Sequence, residues 1–142
     1  DLVLLTGDLI NDALADLDHG LELVRAMQAR FGVYLIEGNH DLIENGAEFE
    51  ERVKASGIPF LLDEAAIVSV RGTPVQLLGL SWTRTHEHRD RAIAESVQRL
   101  LAQRQTEAFP ILLAHHPHAF DAAADAVEGR LVGHVGSGSS MA

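Results

Sequence analysis

Apolar positions along the chain fall into two alternating rhythms. Leu2–Thr6 is a short unbroken apolar run, the mark of a buried strand. From about Ala13 to Arg30 the spacing changes, with Leu14, Leu17, Leu21, Val24 and Met27 recurring at three- and four-residue steps, and Asp12 is placed to cap this helix. Gly32 stands at a plausible stop. Val33–Glu37 reads as a second buried strand, Gly38-Asn39-His40-Asp41 as a turn, and Ala47–Ser56 as a helix ending at Gly57. Ile58–Leu62, Ala65–Arg71 and Val75–Leu80 read as successive strands, the last two joined by a hairpin turn at Gly72-Thr73-Pro74. Asp90 can cap a second long helix reaching about Thr106. Pro110–Ala114 is another strand, a short helix follows near Phe120–Glu128, and a last strand spans Arg130–Gly133.

The order β-α-β-α, a hairpin, then α-β-α-β predicts a layered α/β domain with mixed sheets. We expect it to occupy residues 1–135, followed by a Gly/Ser-rich flexible tail at 136–142. The chain opens directly into a strand, so it reads as a piece of a longer domain, cut at both ends.

Composition narrows the chemistry. Lys and Arg number 11 against 21 Asp and Glu, a net charge of −10, which argues against nucleic-acid binding through a basic surface. A phosphate substrate stays compatible, because a bound metal supplies local positive charge. The cysteine count is 0, so any metal is held by oxygen and imidazole, which suits Mn, Fe or Zn. No apolar run reaches the ~18 residues that cross a membrane.

In layered α/β folds, functional groups gather at the carboxyl ends of strands. Asp8 follows the first strand, Asn39 and His40 the second, His115 a later one and His134 the last. Singly, Asp8 and Asn39 are ordinary turn residues and the histidines ordinary surface groups. Together they are four metal-ligand candidates, Asp8, Asn39, His115 and His134, expected to converge on one edge of the sheet. His116 and His118 extend the cluster and read as surface histidines, although His116 is a weak candidate for substrate. The same weak candidacy applies to His86, in the loop after Trp82. Trp82 itself reads as a packing residue or loop anchor.

Four blocks carry a resemblance: Gly7-Asp8-Leu9-Ile10-Asn11, Gly38-Asn39-His40-Asp41, Leu113-Ala114-His115 and Gly133-His134. In this order they resemble the calcineurin-like metallophosphoesterases, and Ile111–Pro117 looks most like the small bacterial phosphohydrolase branch. The resemblance implies a four-layer α/β/β/α sandwich and hydrolysis of phosphate mono- or diesters. Attack would be in line, by a hydroxide bridging two divalent ions. It implies that Asp8 bridges the metals and that Asn39, His115 and His134 complete the second ion's set. His40 would steady the phosphoryl charge and protonate the leaving oxygen. The implied setting is a bacterial cytoplasm or membrane surface.

Two departures accompany the likeness. The family begins with an Asp-x-His strand before the position of Asp8, and it ends with Gly-His-x-His where this chain has Gly136 for the second histidine. The expectation is therefore one bound ion and weak or no activity for the chain as it stands. The alternative is a non-catalytic metal-binding or interaction domain of the same fold. A nucleotide-binding module is disfavoured, since neither Gly-x-Gly-x-x-Gly nor Gly-x-x-x-x-Gly-Lys-Ser/Thr occurs.

Overall fold

The computed structural model of the chain describes residues 1–82 and 89–126, the side chain of residue 89 excepted. The expected last strand, His134, His86 and the Gly/Ser tail all lie outside the described residues. The elements are β1 (Val3–Thr6), α1 (Leu17–Ala26), β2 (Val33–Ile36), α2 (Gly46–Ala55), β3 (Glu64–Val70), β4 (Thr73–Gly79), α3 (Arg89–Ala102) and β5 (Phe109–Leu113). A further helix, α4, occupies 118–126 of the described range. Among the described residues no helix is long and apolar enough to cross a membrane.

The strands form two sheets. β1 and β2 run parallel, with Thr6 opposite Ile36. In the second sheet the order is β3-β4-β5, antiparallel between β3 and β4 and parallel between β4 and β5, with Gly79 opposite Leu113. Both parallel pairs bring their carboxyl ends level, so the chain leaves them in neighbouring turns.

The apolar core divides into three clusters, and strand periodicity assigns their members. Successive residues of a strand face opposite sides. Leu35 joins the helix-side cluster with Leu17, Leu21, Phe49 and Val53, whereas its neighbour Ile36 joins Leu61, Val75, Leu77 and Leu113. In β4 Leu77 belongs to that second cluster, while Leu78 packs with Ile93, Val97 and Leu100 of α3. Both faces of β2 and β4 are therefore covered, which explains why their sequences lack polar alternation. Full burial of side chains such as Leu35 or Leu77 stabilises the fold by roughly 1.5–3 kcal/mol each.

Several boundaries differ from the sequence expectation. The first helix does not start on an Asp12 cap: a 3-10 turn at Leu14–Asp16 leads into α1, and the Glu44 carboxylate accepts the Leu14 N–H. α1 stops at Ala26 rather than Arg30, because the following chain is taken up against β1. There the Phe31 N–H donates to the Asp1 carbonyl (2.8 Å) and the Val3 N–H to the Gly32 carbonyl (3.1 Å). Ile58–Leu62 is not a strand but a single parallel bridge between Leu35 and Phe60. Pro59 gives its carbonyl to the Leu35 N–H and has no N–H with which to extend a ladder. The hairpin turns at Arg71-Gly72, both at positive φ (52° and 82°), and Thr73 and Pro74 already belong to β4. Asp90 lies inside the first turn of α3 rather than capping it. α3 ends before Thr106 because the buried Gln76 side chain holds the next loop, donating to the Gln103 carbonyl (2.8 Å) and accepting from the Gln105 N–H (2.9 Å).

Candidate metal centre

The turn after β1 and the turn after β2 are built as one unit around Asp41. This residue has 0 % exposure, and its carboxylate accepts three backbone N–H groups. Oδ2 takes those of Asp8 (2.9 Å) and Gly38 (2.8 Å), and Oδ1 takes that of Ile10 (3.0 Å). Burial pushes the Asp41 carboxyl above its ordinary range; the three N–H donors pull against that shift, and the charge of Asp8 adds to it. Asp8 adopts φ 55°, a left-handed conformation that aspartate tolerates better than most side chains. Gly38 is packed so closely that a Cβ there would fall on the Asp8 carboxylate and backbone, and within 2.9 Å of the His115 ring.

The fixed Asp8 carboxylate divides its oxygens. Oδ1 accepts the backbone N–H of His40 (3.1 Å), and Oδ2 faces His115 Nε2 at 3.3 Å. The same Nε2 lies 3.0 Å from Asn39 Oδ1. On the other side of the ring, His115 Nδ1 is 2.8 Å from the Thr6 carbonyl. A carbonyl can only accept, so Nδ1 carries the proton and Nε2 of the neutral ring presents a lone pair. Two oxygen acceptors, Asp8 Oδ2 and Asn39 Oδ1, then face the lone pair of His115 Nε2. A proton or a cation between them resolves the conflict, and a carboxylate, an amide oxygen and an imidazole anchored through its other nitrogen make a donor set suited to a divalent ion.

Of the four residues expected from the sequence as metal ligands, the structure brings Asp8, Asn39 and His115 together, and the fourth, His134, lies outside the described residues. Among the described residues no group of three or more His, Cys, Asp or Glu side chains could hold a metal: the meeting point found here has only one Asp and one His, with Asn39 as the third donor. His40 does not join that set through its ring. Its Nδ1 lies 2.6 Å from the Asn11 carbonyl, which fixes the Nδ1–H tautomer of the neutral ring. His116 packs on the Trp82 ring (centroids 5.0 Å apart) and the same indole meets His115 edge-on at 5.5 Å. The roles of Asp41, Thr6 and Asn11 were missed. Asp41 was in plain view as the last residue of its block, but the other two act through backbone carbonyls, which leave no trace in residue identity.

The sequence profile of a family described as calcineurin-like phosphoesterase matches residues 1–137. The chain belongs to this family. Calcineurin-like phosphoesterases are in general metal-dependent hydrolases of phosphate esters, in accord with a donor set at strand ends and a histidine fixed beside it. No curated protein matches the chain.

Proposed function

We propose that this member of the family is a hydrolase of phosphate mono- or diesters, built as a four-layer α/β/β/α sandwich. In this reading Asp8, Asn39, His115 and His134 hold one divalent ion, Mn, Fe or Zn. The observation that carries it is the convergence of Asp8 Oδ2 (3.3 Å) and Asn39 Oδ1 (3.0 Å) on His115 Nε2. The layered architecture is supported by three apolar clusters, with helices contributing to the two outer ones.

When bound, a divalent cation acidifies a water and draws charge from the phosphoryl oxygens. The chain's own residues do the rest. Asp8 keeps its carboxylate fixed through the His40 N–H, so the ligand atoms need little rearrangement. His40 is held through Nδ1–H by the Asn11 carbonyl; the doubly protonated ring gives the proton on Nε2 to the leaving oxygen as water attacks in line on the opposite side, and leaves the step as the neutral Nδ1–H tautomer. Asn39 offers its amide to a phosphoryl oxygen.

One residue favours a second reading. Gly136 stands where the resemblance calls for a histidine, which points to a domain that binds metal without turnover. Incubation with aryl phosphate mono- and diesters and added Mn²⁺, alongside metal analysis of wild type and His115→Ala, separates the two. Metal-dependent hydrolysis lost in His115→Ala supports the enzyme; bound metal without hydrolysis supports the second reading. Equal metal content in both proteins removes the site altogether.

A further inference from the structure

The ligands belong to two different sheets. Asp8 and Asn39 follow β1 and β2, whereas His115 follows β5, so the distance between sheet edges sets the bite of the site. One residue touches both edges. Trp82, just past β4, donates its backbone N–H to Glu37 Oε1 (3.0 Å), and Glu37, 2 % exposed, directly precedes Gly38-Asn39. Its neighbour Ser81 is clamped by Asp63, whose Oδ1 accepts the Ser81 N–H (3.0 Å) and whose Oδ2 accepts the hydroxyl (2.7 Å). The backbone of Trp82 is thus tied to the ligand turn of the first sheet. Its indole lies against the ligand of the second, edge-on to His115 at an interplanar angle of 71°, and tilted by 34° over His116. His115 is bonded at Nδ1 to Thr6, and a ring held at one atom can still swing about that bond. The indole stands edge-on in the way of that swing.

We propose that Trp82 is a positioning residue, holding His115 at the distance and ring angle from Asp8 and Asn39 that a cation requires. The proposal rests on the metal reading given above. Trp82 contributes no ligand atom; it acts through the orientation of an aromatic ring, so an aromatic replacement retains the effect and an aliphatic one does not.

Mn²⁺ affinity measured by equilibrium dialysis on wild type, Trp82→Phe, Trp82→Leu and His115→Ala tests this without reference to activity. Trp82→Leu is expected to weaken binding by ~10–100-fold, as loss of an outer partner of a metal ligand does. Trp82→Phe should keep most of the affinity, and His115→Ala should lose it. Wild-type affinity in Trp82→Leu, beside none in His115→Ala, overturns the proposal and leaves the metal site standing. Wild-type affinity in His115→Ala overturns the metal site first, and the proposal with it. Should Trp82→Leu fail to fold by circular dichroism, the wild-type protein decides, because Trp82 is its only tryptophan. Co²⁺ should quench its fluorescence with the midpoint that dialysis against Co²⁺ gives, and the quenching should vanish in His115→Ala. Saturable Co²⁺ binding that depends on His115 but leaves the fluorescence unchanged overturns the proposal.

Discussion

Asp41 is the residue on which the two ligand turns depend, and its chemistry is specific. Replacing it by asparagine keeps the shape but turns a two-oxygen acceptor into one oxygen and one NH₂ group. At least one of the N–H donors of Asp8, Gly38 and Ile10 then faces another donor. A buried donor left without a partner costs about 1–3 kcal/mol, so Asp41→Asn should lower the stability read from a urea titration by that amount. The pH dependence has a definite sign. The folded carboxyl sits above its unfolded value of 3.8, so the folded state binds the proton more tightly. The stability that Asp41 contributes therefore falls as pH rises through that window, then levels off. Because the asparagine side chain does not titrate, the advantage of wild type over the variant should be largest in acid and shrink as pH rises above the unfolded value and through the raised folded one. An advantage that grows with pH contradicts this assignment. Gly38→Ala tests the same corner by bulk: its methyl would collide with Asp8, and metal binding by dialysis should disappear. His40→Ala should instead leave metal content intact and lower kcat by ~10²–10⁴-fold, the range for a positioned acid; loss of metal would make it a ligand. At this scale the sequence made legible which side chains meet, as with Asp8, Asn39 and His115. It was silent where a backbone carbonyl is the partner, as with Thr6 and Asn11.

Among the described elements, strand and helix identities followed from periodicity except at Ile58–Leu62, while their ends were set by contacts distant in sequence. α2 is the exception, since its start is written locally: Asn45 accepts the Glu48 N–H at 3.1 Å, the geometry of an N-cap. Asn45→Ala should cost ~0.5–2 kcal/mol in a denaturant titration while leaving Mn²⁺ affinity unchanged, because the cap lies outside the ligand turns. Weakened metal binding would mean that α2 bears on the site. α1 and α3 show the opposite case. Periodicity in α1 continues to Met27, yet the helix yields at Ala26 to the pairing of residues 31–32 with the start of β1. α3 yields to Gln76, a polar residue whose burial in β4 is intelligible only once both of its amide bonds are seen. Pro59 could have been read in advance, since proline withholds the donor that a second ladder bond would need.

For the molecule as a whole, the sheets meet through an apolar seam of Ile36, Leu61, Val75, Leu77 and Leu113. That seam is non-directional: it favours contact between the sheets without fixing one offset. On the proposed metal reading, a cation joining Asp8 and Asn39 to His115 would act as a rivet through both sheets, and its binding energy would become folding energy. At a free ion concentration about 100 times the dissociation constant, the folded state should gain ~2.7 kcal/mol. This appears as a rise in Tm with Mn²⁺ that chelator reverses and His115→Ala lacks. Starved of metal, the protein should loosen along the seam before either sheet melts. Amide hydrogen exchange would then quicken first at Leu80 and at residues 7–10, with the middle of β4 still protected. Metal supply would thereby govern the lifetime of the protein as well as its chemistry, because a protease finds its first foothold where the rivet is missing.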